Sequence, residues 1–244
     1  MRCSRDATIV YAVTFENRIF RIDTRSNRAD EAFAFPWFYP LVEAPALRGS
    51  LLRFYAVNAG GHITANGRDV PILSSPGGLP VVQIPWELPD TWVKFTMYGG
   101  ASPFETFTRT YPVADYAPRG FEPGSPGLNE GQSAYRQDWS AGTVASPAVP
   151  GEIVHIYAVG LGPTECPIET GKPAPVDRLC RALQTPEWKW IIAPNVTVPA
   201  EVQFAGFAPG MIGMYQIDVR VPPYNGYEYI TLSGIANVRI RPAP

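Results

Sequence analysis

Two histidines, His62 and His155, are the side chains of this 244-residue chain suited to acid–base work near neutral pH. His62 follows Gly60-Gly61 in a loop and has no partner at a recognisable spacing. His155 alternates with apolar residues in Ile153-Val154-His155-Ile156-Tyr157, so it reads as a strand histidine rather than a base. No Gly-x-Ser-x-Gly phrase supports a Ser-His-Asp site. Paired carboxylates would suit glycoside hydrolysis. Glu16, Glu87, Asp115, Glu130, Asp138, Glu152, Glu201 and Asp218 are the candidates, and each reads more simply as a turn or solvated strand residue. The sequence has no Asp-x-Asp-x-Asp-Gly calcium loop and no Gly-rich phosphate loop. The reading is therefore a non-enzymatic chain with no metal site and no cofactor.

Cys166 and Cys180 lie fourteen apart in one Pro-rich segment. A loop disulfide, two unrelated thiols and a zinc site are the alternatives. Zinc is disfavoured because neither cysteine belongs to a Cys-x-x-Cys pair and the chain has only two His. The disulfide reading places the chain in an oxidising compartment. Cys3 is left without an evident partner. Trp188 and Trp190 are two apart and so share a face on any strand. Exposed, such a pair stacks on a sugar ring or anchors a protein partner. Buried, it covers a sandwich beneath the cysteine loop.

The elements that would carry these residues are strands. Hydrophobic residues make up 45% of the chain and charged residues 17%, too apolar for disorder. With 27 Pro and 22 Gly, many turns and short elements are expected, which points to an all-β fold. The net charge of −2, with no basic stripe, argues against nucleic acid as a partner. No run is long and apolar enough for a membrane span, and the N-terminus lacks an apolar signal core.

A repeat organises the chain. Arg53-Phe54-Tyr55-Ala56-Val57-Asn58-Ala59-Gly60 matches His155-Ile156-Tyr157-Ala158-Val159-Gly160-Leu161-Gly162. Downstream, Val82-Gln83-Ile84-Pro85 matches Val219-Arg220-Val221-Pro222. Two copies of one small β domain follow. The first spans 34–118 and the second 119–244, which carries an insertion at about 163–195 holding both cysteines and the Trp pair. Ahead of them, 7–13 and 18–23 read as a β-hairpin within 1–33, turning at Thr14–Asn17. Gly77-Gly78 and Gly99-Gly100 mark further turns, and 120–150 is a Pro-, Gly- and Ser-rich connection.

Two resemblances add to this. The hairpin, with Arg18-Ile19-Phe20-Arg21-Ile22-Asp23-Thr24, resembles part of a β-propeller blade. The second repeat carries Val149-Pro150-Gly151-Glu152, Gly171-Lys172-Pro173-Ala174-Pro175 and Phe204-Ala205-Gly206-Phe207-Ala208-Pro209-Gly210. With Tyr135-Arg136-Gln137-Asp138 before it, it resembles the uncharacterised C-terminal domain family described from Solibacter and other Acidobacteria. Trp139 sits where that family usually has Gly. The resemblance implies two tandem immunoglobulin-like sandwiches of the IPT/TIG type, on a bacterial extracellular or cell-surface protein. It implies no reaction.

The expected role is structural or adhesive, with protein partners or self-association through strand addition at Ile9, Tyr11, Ile19 and Phe20 of the N-terminal hairpin. The alternative is a carbohydrate-binding accessory module using Trp188 and Trp190.

Overall fold

The computed structural model describes residues 2–3, 9–13, 18–23, 28–34, 45–53, 63–73, 81–88, 92–98, 106–120, 134–139, 147–184, 186–223, 226–233 and 235–242. His62, Glu16, Glu130, Phe54–Gly60, the Thr14–Asn17 turn and the Gly77-Gly78 and Gly99-Gly100 turns lie outside them, as does most of the 120–150 connection. The described residues contain no helix, and so none long and apolar enough to cross a membrane. The fold is all-β, and the described residues form five sheets.

The N-terminal strands are β1 (Arg2–Cys3), β2 (Ile9–Val13), β3 (Arg18–Asp23) and β4 (Arg28–Ala34). They pair antiparallel in the order β1-β2-β3-β4. This four-stranded meander replaces the expected two-stranded hairpin. The missed strand, Arg-Ala-Asp-Glu-Ala-Phe-Ala, has no β-branched residue and two adjacent acids, so propensity gave no signal. β3 is interior, so Ile19 and Phe20 already have backbone neighbours on both sides. Tyr11 is likewise flanked by Arg2 and Arg21, and Ile9 pairs with Asp23. β2 and β3 thus lie inside the sheet, and among the described residues β4 is its long edge strand.

The first repeat supplies β5 (Ala46–Leu47), β6 (Leu51–Arg53), β7 (Ile63–Ala65), β8 (Arg68–Asp69), β9 (Ile72–Leu73), β10 (Val81–Gln83), β11 (Trp92–Tyr98) and β12 (Thr106–Ala114). Sheets β6-β10-β9 and β5-β12-β11-β7-β8 enclose a core that includes Ile63, Val82, Ile84, Val93 and Phe95. The β7–β8 hairpin turns at Asn66-Gly67, both with positive φ, as a two-residue primed turn requires.

The second repeat supplies β13 (Arg119–Gly120), β14 (Ala134–Tyr135), β15 (Ile153–Val159), β16 (Lys189–Ala193), β17 (Val196–Pro199), β18 (Val202–Phe207), β19 (Tyr215–Arg220), β20 (Tyr229–Leu232) and β21 (Ala236–Arg239). One sheet runs β13-β15-β19-β18, with β14 also on β15; the other runs β17-β16-β20-β21. Val154, Ile156, Ile217 and Val219 of the first meet Trp190, Ile230, Leu232 and Val238 of the second in one core. β16 belongs to that core sheet, so the insertion ends before the strand that was expected to lie inside it.

The repeat is visible in strand register. In the first copy Leu51, Leu52 and Arg53 pair with Gln83, Val82 and Val81. In the second, Ile153, Val154 and His155 pair with Arg220, Val219 and Asp218. These are the same three pairs at equivalent positions. Period-two alternation then sends Leu52, Val82, Val154 and Val219 inward in both copies.

Candidate functional site

The other face of those matched strands is where the copies differ. In the first copy it is buried against the second. Leu47, Leu51 and Val81 pack with Val159, Ala208 and Met214 in a third apolar cluster. Trp86 meets Phe207 edge-on, with ring centroids 6.1 Å apart. Polar groups along this seam are hydrogen-bonded, and the Gln83–Gly171 and Ser50–Gly160 bonds cross it. Gln83 Nε2 donates to Gly49 O at 2.9 Å, and Gln83 Oε1 accepts from the Gly171 amide at 2.6 Å. Ser50 Oγ accepts from the Gly160 amide at 2.9 Å, and the Tyr215 hydroxyl donates to Gly162 O at 2.7 Å. Gly160 has φ +80°, and a Cβ there would collide with Leu47 and the Ala117 carbonyl. This explains the glycine that ends the Tyr-Ala-Val phrase.

The insertion acts as a clasp on this seam. Cys166 and Cys180 form a disulfide, and both are buried. Between them, the Thr170 hydroxyl donates to Glu87 Oε2 at 2.6 Å and accepts from the Trp86 amide at 2.9 Å. Desolvation, the largest single influence, would raise the Glu87 carboxyl, but hydrogen bonds from the Thr170 side chain, the Glu87 backbone and the Thr170 backbone, with Arg68 nearby, together hold the group below the ordinary carboxylate range. Beyond the clasp, Arg181 bridges to Gly206 and covers the open edge of β18.

In the second copy the equivalent face carries polar and aromatic side chains. His155 Nδ1 lies 2.7 Å from Asp218 Oδ1, and Gln216 Nε2 donates to the same oxygen at 2.7 Å. A carboxylate only accepts, so Nδ1 carries the proton. That leaves Nε2 as the imidazole's acceptor, and it is buried with no partner among the described residues. Tyr157 stands edge-on to Tyr135 at 5.5 Å, and burial, with Tyr135 and Asp218 nearby, raises its phenol.

Over His155 lies Trp139, rings 3.8 Å apart and 2° from parallel. Trp139 has φ +64°, the left-handed region, which costs a bulky residue about 1–2 kcal/mol. Its backbone is held by a turn in which the Trp139 amide donates to Arg136 O at 2.8 Å. That turn hangs on Glu152, a buried carboxylate. Glu152 accepts from Arg136 Nε at 3.0 Å, the Gln137 amide at 3.1 Å and the Val149 amide at 3.0 Å. A strained backbone fixed by a satisfied buried charge marks this place as the candidate site.

The sequence candidates fall as follows. Trp188 and Trp190 share a face, as expected, but it is the core face: both are buried while Glu187, Lys189 and Ile191 alternate outward. Trp190 Nε1 donates to Arg220 O inside the second module. Neither ring is available to a ligand, which corrects the expected contact. Glu87, Asp115, Glu152, Glu201 and Asp218 each meet Thr170, Arg48, Arg136, Arg220 and His155 respectively, not a second carboxylate. Asp218 and His155 form a dyad that periodicity alone did not signal. Its Nε2 is buried, with no partner among the described residues, and the imidazole stacks under Trp139. His155, Asp138, Glu152, Asp218 and Trp139 each stand out singly in the sequence, but nothing in it places them together. Among the described residues no three His, Cys, Asp or Glu side chains gather as a metal site would require. Compared with protein-family models, curated proteins and solved structures, the chain matches none.

Proposed function

We propose that this chain is a non-enzymatic structural or adhesive unit of a bacterial extracellular or cell-surface protein. In this reading two tandem immunoglobulin-like sandwiches of the IPT/TIG type form one stiff spacer. The observation that carries it is the clasped seam: a disulfide-closed loop of the second module hydrogen-bonded to Glu87 and Gln83 of the first. Domains joined by a simple linker move against each other by default, and a shared apolar cluster with buried hydrogen bonds removes that freedom. The disulfide supports an oxidising compartment. The open β4 edge is where strand addition would join copies.

The test is to label free thiols in intact producing cells and then fractionate them. The protein is expected outside the cytoplasm with Cys166 and Cys180 oxidised. A cytoplasmic pool with both thiols reduced overturns the reading.

A further inference from the structure

We propose that Trp139 is the platform of a saccharide-binding subsite on the second module. The inference goes beyond the spacer reading and does not depend on it. One face of the indole is spent on His155, and half of the residue's surface remains exposed, at 50%. A ring supported from below presents its other face outward at a fixed height. The support is rigid: Gln216 holds Asp218, Asp218 holds the imidazole, and the imidazole carries the indole. The backbone conformation at φ +64° would be relaxed by glycine, so the fold gains no backbone ease from keeping Trp there.

Beside this platform is a shallow open depression of about 510 Å³, lined by Arg136, Gln137, Asp138, Val149, Gly151 and Glu152. Its volume falls in the range of small-ligand sites. The chemistry of the rim selects the ligand class. A protein hot spot places its aromatic anchor within an apolar surround. Among the described residues, none of the other large exposed hydrophobics, which include Trp92, Val176, Leu183 and Tyr229, belongs to this rim, where the charged and amide groups of Arg136, Gln137, Asp138 and Glu152 stand beside Val149 and Gly151. A sugar ring offers what such a site matches: a face of C–H groups for the indole, and hydroxyls around its edge for carboxylate, amide and guanidinium groups. Both signs of charge line the depression, so a neutral pyranoside fits better than a polyanion.

The test is isothermal titration calorimetry of the full chain with cellohexaose, xylohexaose, laminarihexaose and chitohexaose. At least one is expected to bind. Trp139→Gly, which suits the left-handed backbone and so retains the fold, should weaken that binding about tenfold or more, as loss of an aromatic contact implies. Trp139→Phe should retain most of it. Trp92→Ala removes an exposed indole elsewhere and should leave it unchanged. The inference is overturned if none of the four sugars binds the parent chain, or if Trp139→Gly binds as the parent does. It is equally overturned if Trp139→Gly changes only self-association, which would make the face a protein contact.

Discussion

Replacing Gln83 with Leu tests the clasped seam at a buried polar group that serves both copies. Gln83 is 1% exposed, and its carboxamide serves both modules: Nε2 donates to Gly49 O at 2.9 Å and Oε1 accepts from the Gly171 amide at 2.6 Å. Leucine has nearly the same volume and can make neither bond. The Gly49 carbonyl and Gly171 amide would lose this partner, each at about 1–2 kcal/mol. Apolar packing of the new side chain against Leu51 and Met214 recovers part of that. The net expectation is a loss of about 2–3 kcal/mol. At roughly 2–4 °C per kcal/mol for a protein of this size, the melting temperature falls by about 5–10 °C. Calorimetry gives a second readout. If the seam couples the modules, the parent unfolds in one transition across both, and Gln83→Leu broadens or splits it. A variant that melts within about 1 °C of the parent, in an unchanged single transition, refutes the argument that these hydrogen bonds join the modules.

Cys166→Ala with Cys180→Ala should cost about 3 kcal/mol by loop-closure entropy, since the bridge closes a separation of 14 residues. Urea unfolding of this variant beside the parent checks it, and equal midpoints would remove the disulfide from the account of the clasp. Tyr215 should set an alkaline limit: burial pushes its phenol well above the ordinary tyrosine value of about 10, with Ser50 opposing in part. The folded state holds that proton more tightly than the unfolded chain. Its contribution is therefore complete below pH about 10 and is lost above it, at about 1.4 kcal/mol per pH unit. Tyr215→Phe should lower the steepness of stability against pH between 9 and 11, while Tyr116 and Tyr157, also raised by burial, keep some slope. Identical slopes in parent and variant would show that Tyr215 is not the group responsible.

Strand existence was legible wherever alternation was strong. Trp92–Tyr98 and Ile153–Val159 stand where periodicity places them. Between 196 and 207 the alternation does not show the break at Pro199, which ends β17 before the chain re-enters as β18 at Val202. Likewise β20 and β21 form an antiparallel pair rather than one long strand. The cysteine pair was legible from spacing. Trp188 and Trp190 show the limit of face arguments: spacing tells that two side chains share a face but not whether that face is covered, and β16 turned out to be a core strand. The seam was not legible, because Ser50 and Gly160, or Gln83 and Gly171, are each more than eighty residues apart and meet through packing alone. The Trp139 site draws on three separate segments, at 136–139, 155 and 216–218. Trp139 itself, in a position that its backbone would give to glycine, was the nearest thing to a signal.

The third apolar cluster also has a consequence for how this molecule is made. A ribosome delivers Leu47, Leu51 and Val81 first, but their covering residues Ala208 and Met214 follow more than a hundred residues later. At synthesis rates of about 5–20 residues per second, the nascent first module waits roughly six to twenty-seven seconds with that apolar flank bare. The order of the two copies along the chain therefore sets which one needs a chaperone's shelter, and for how long.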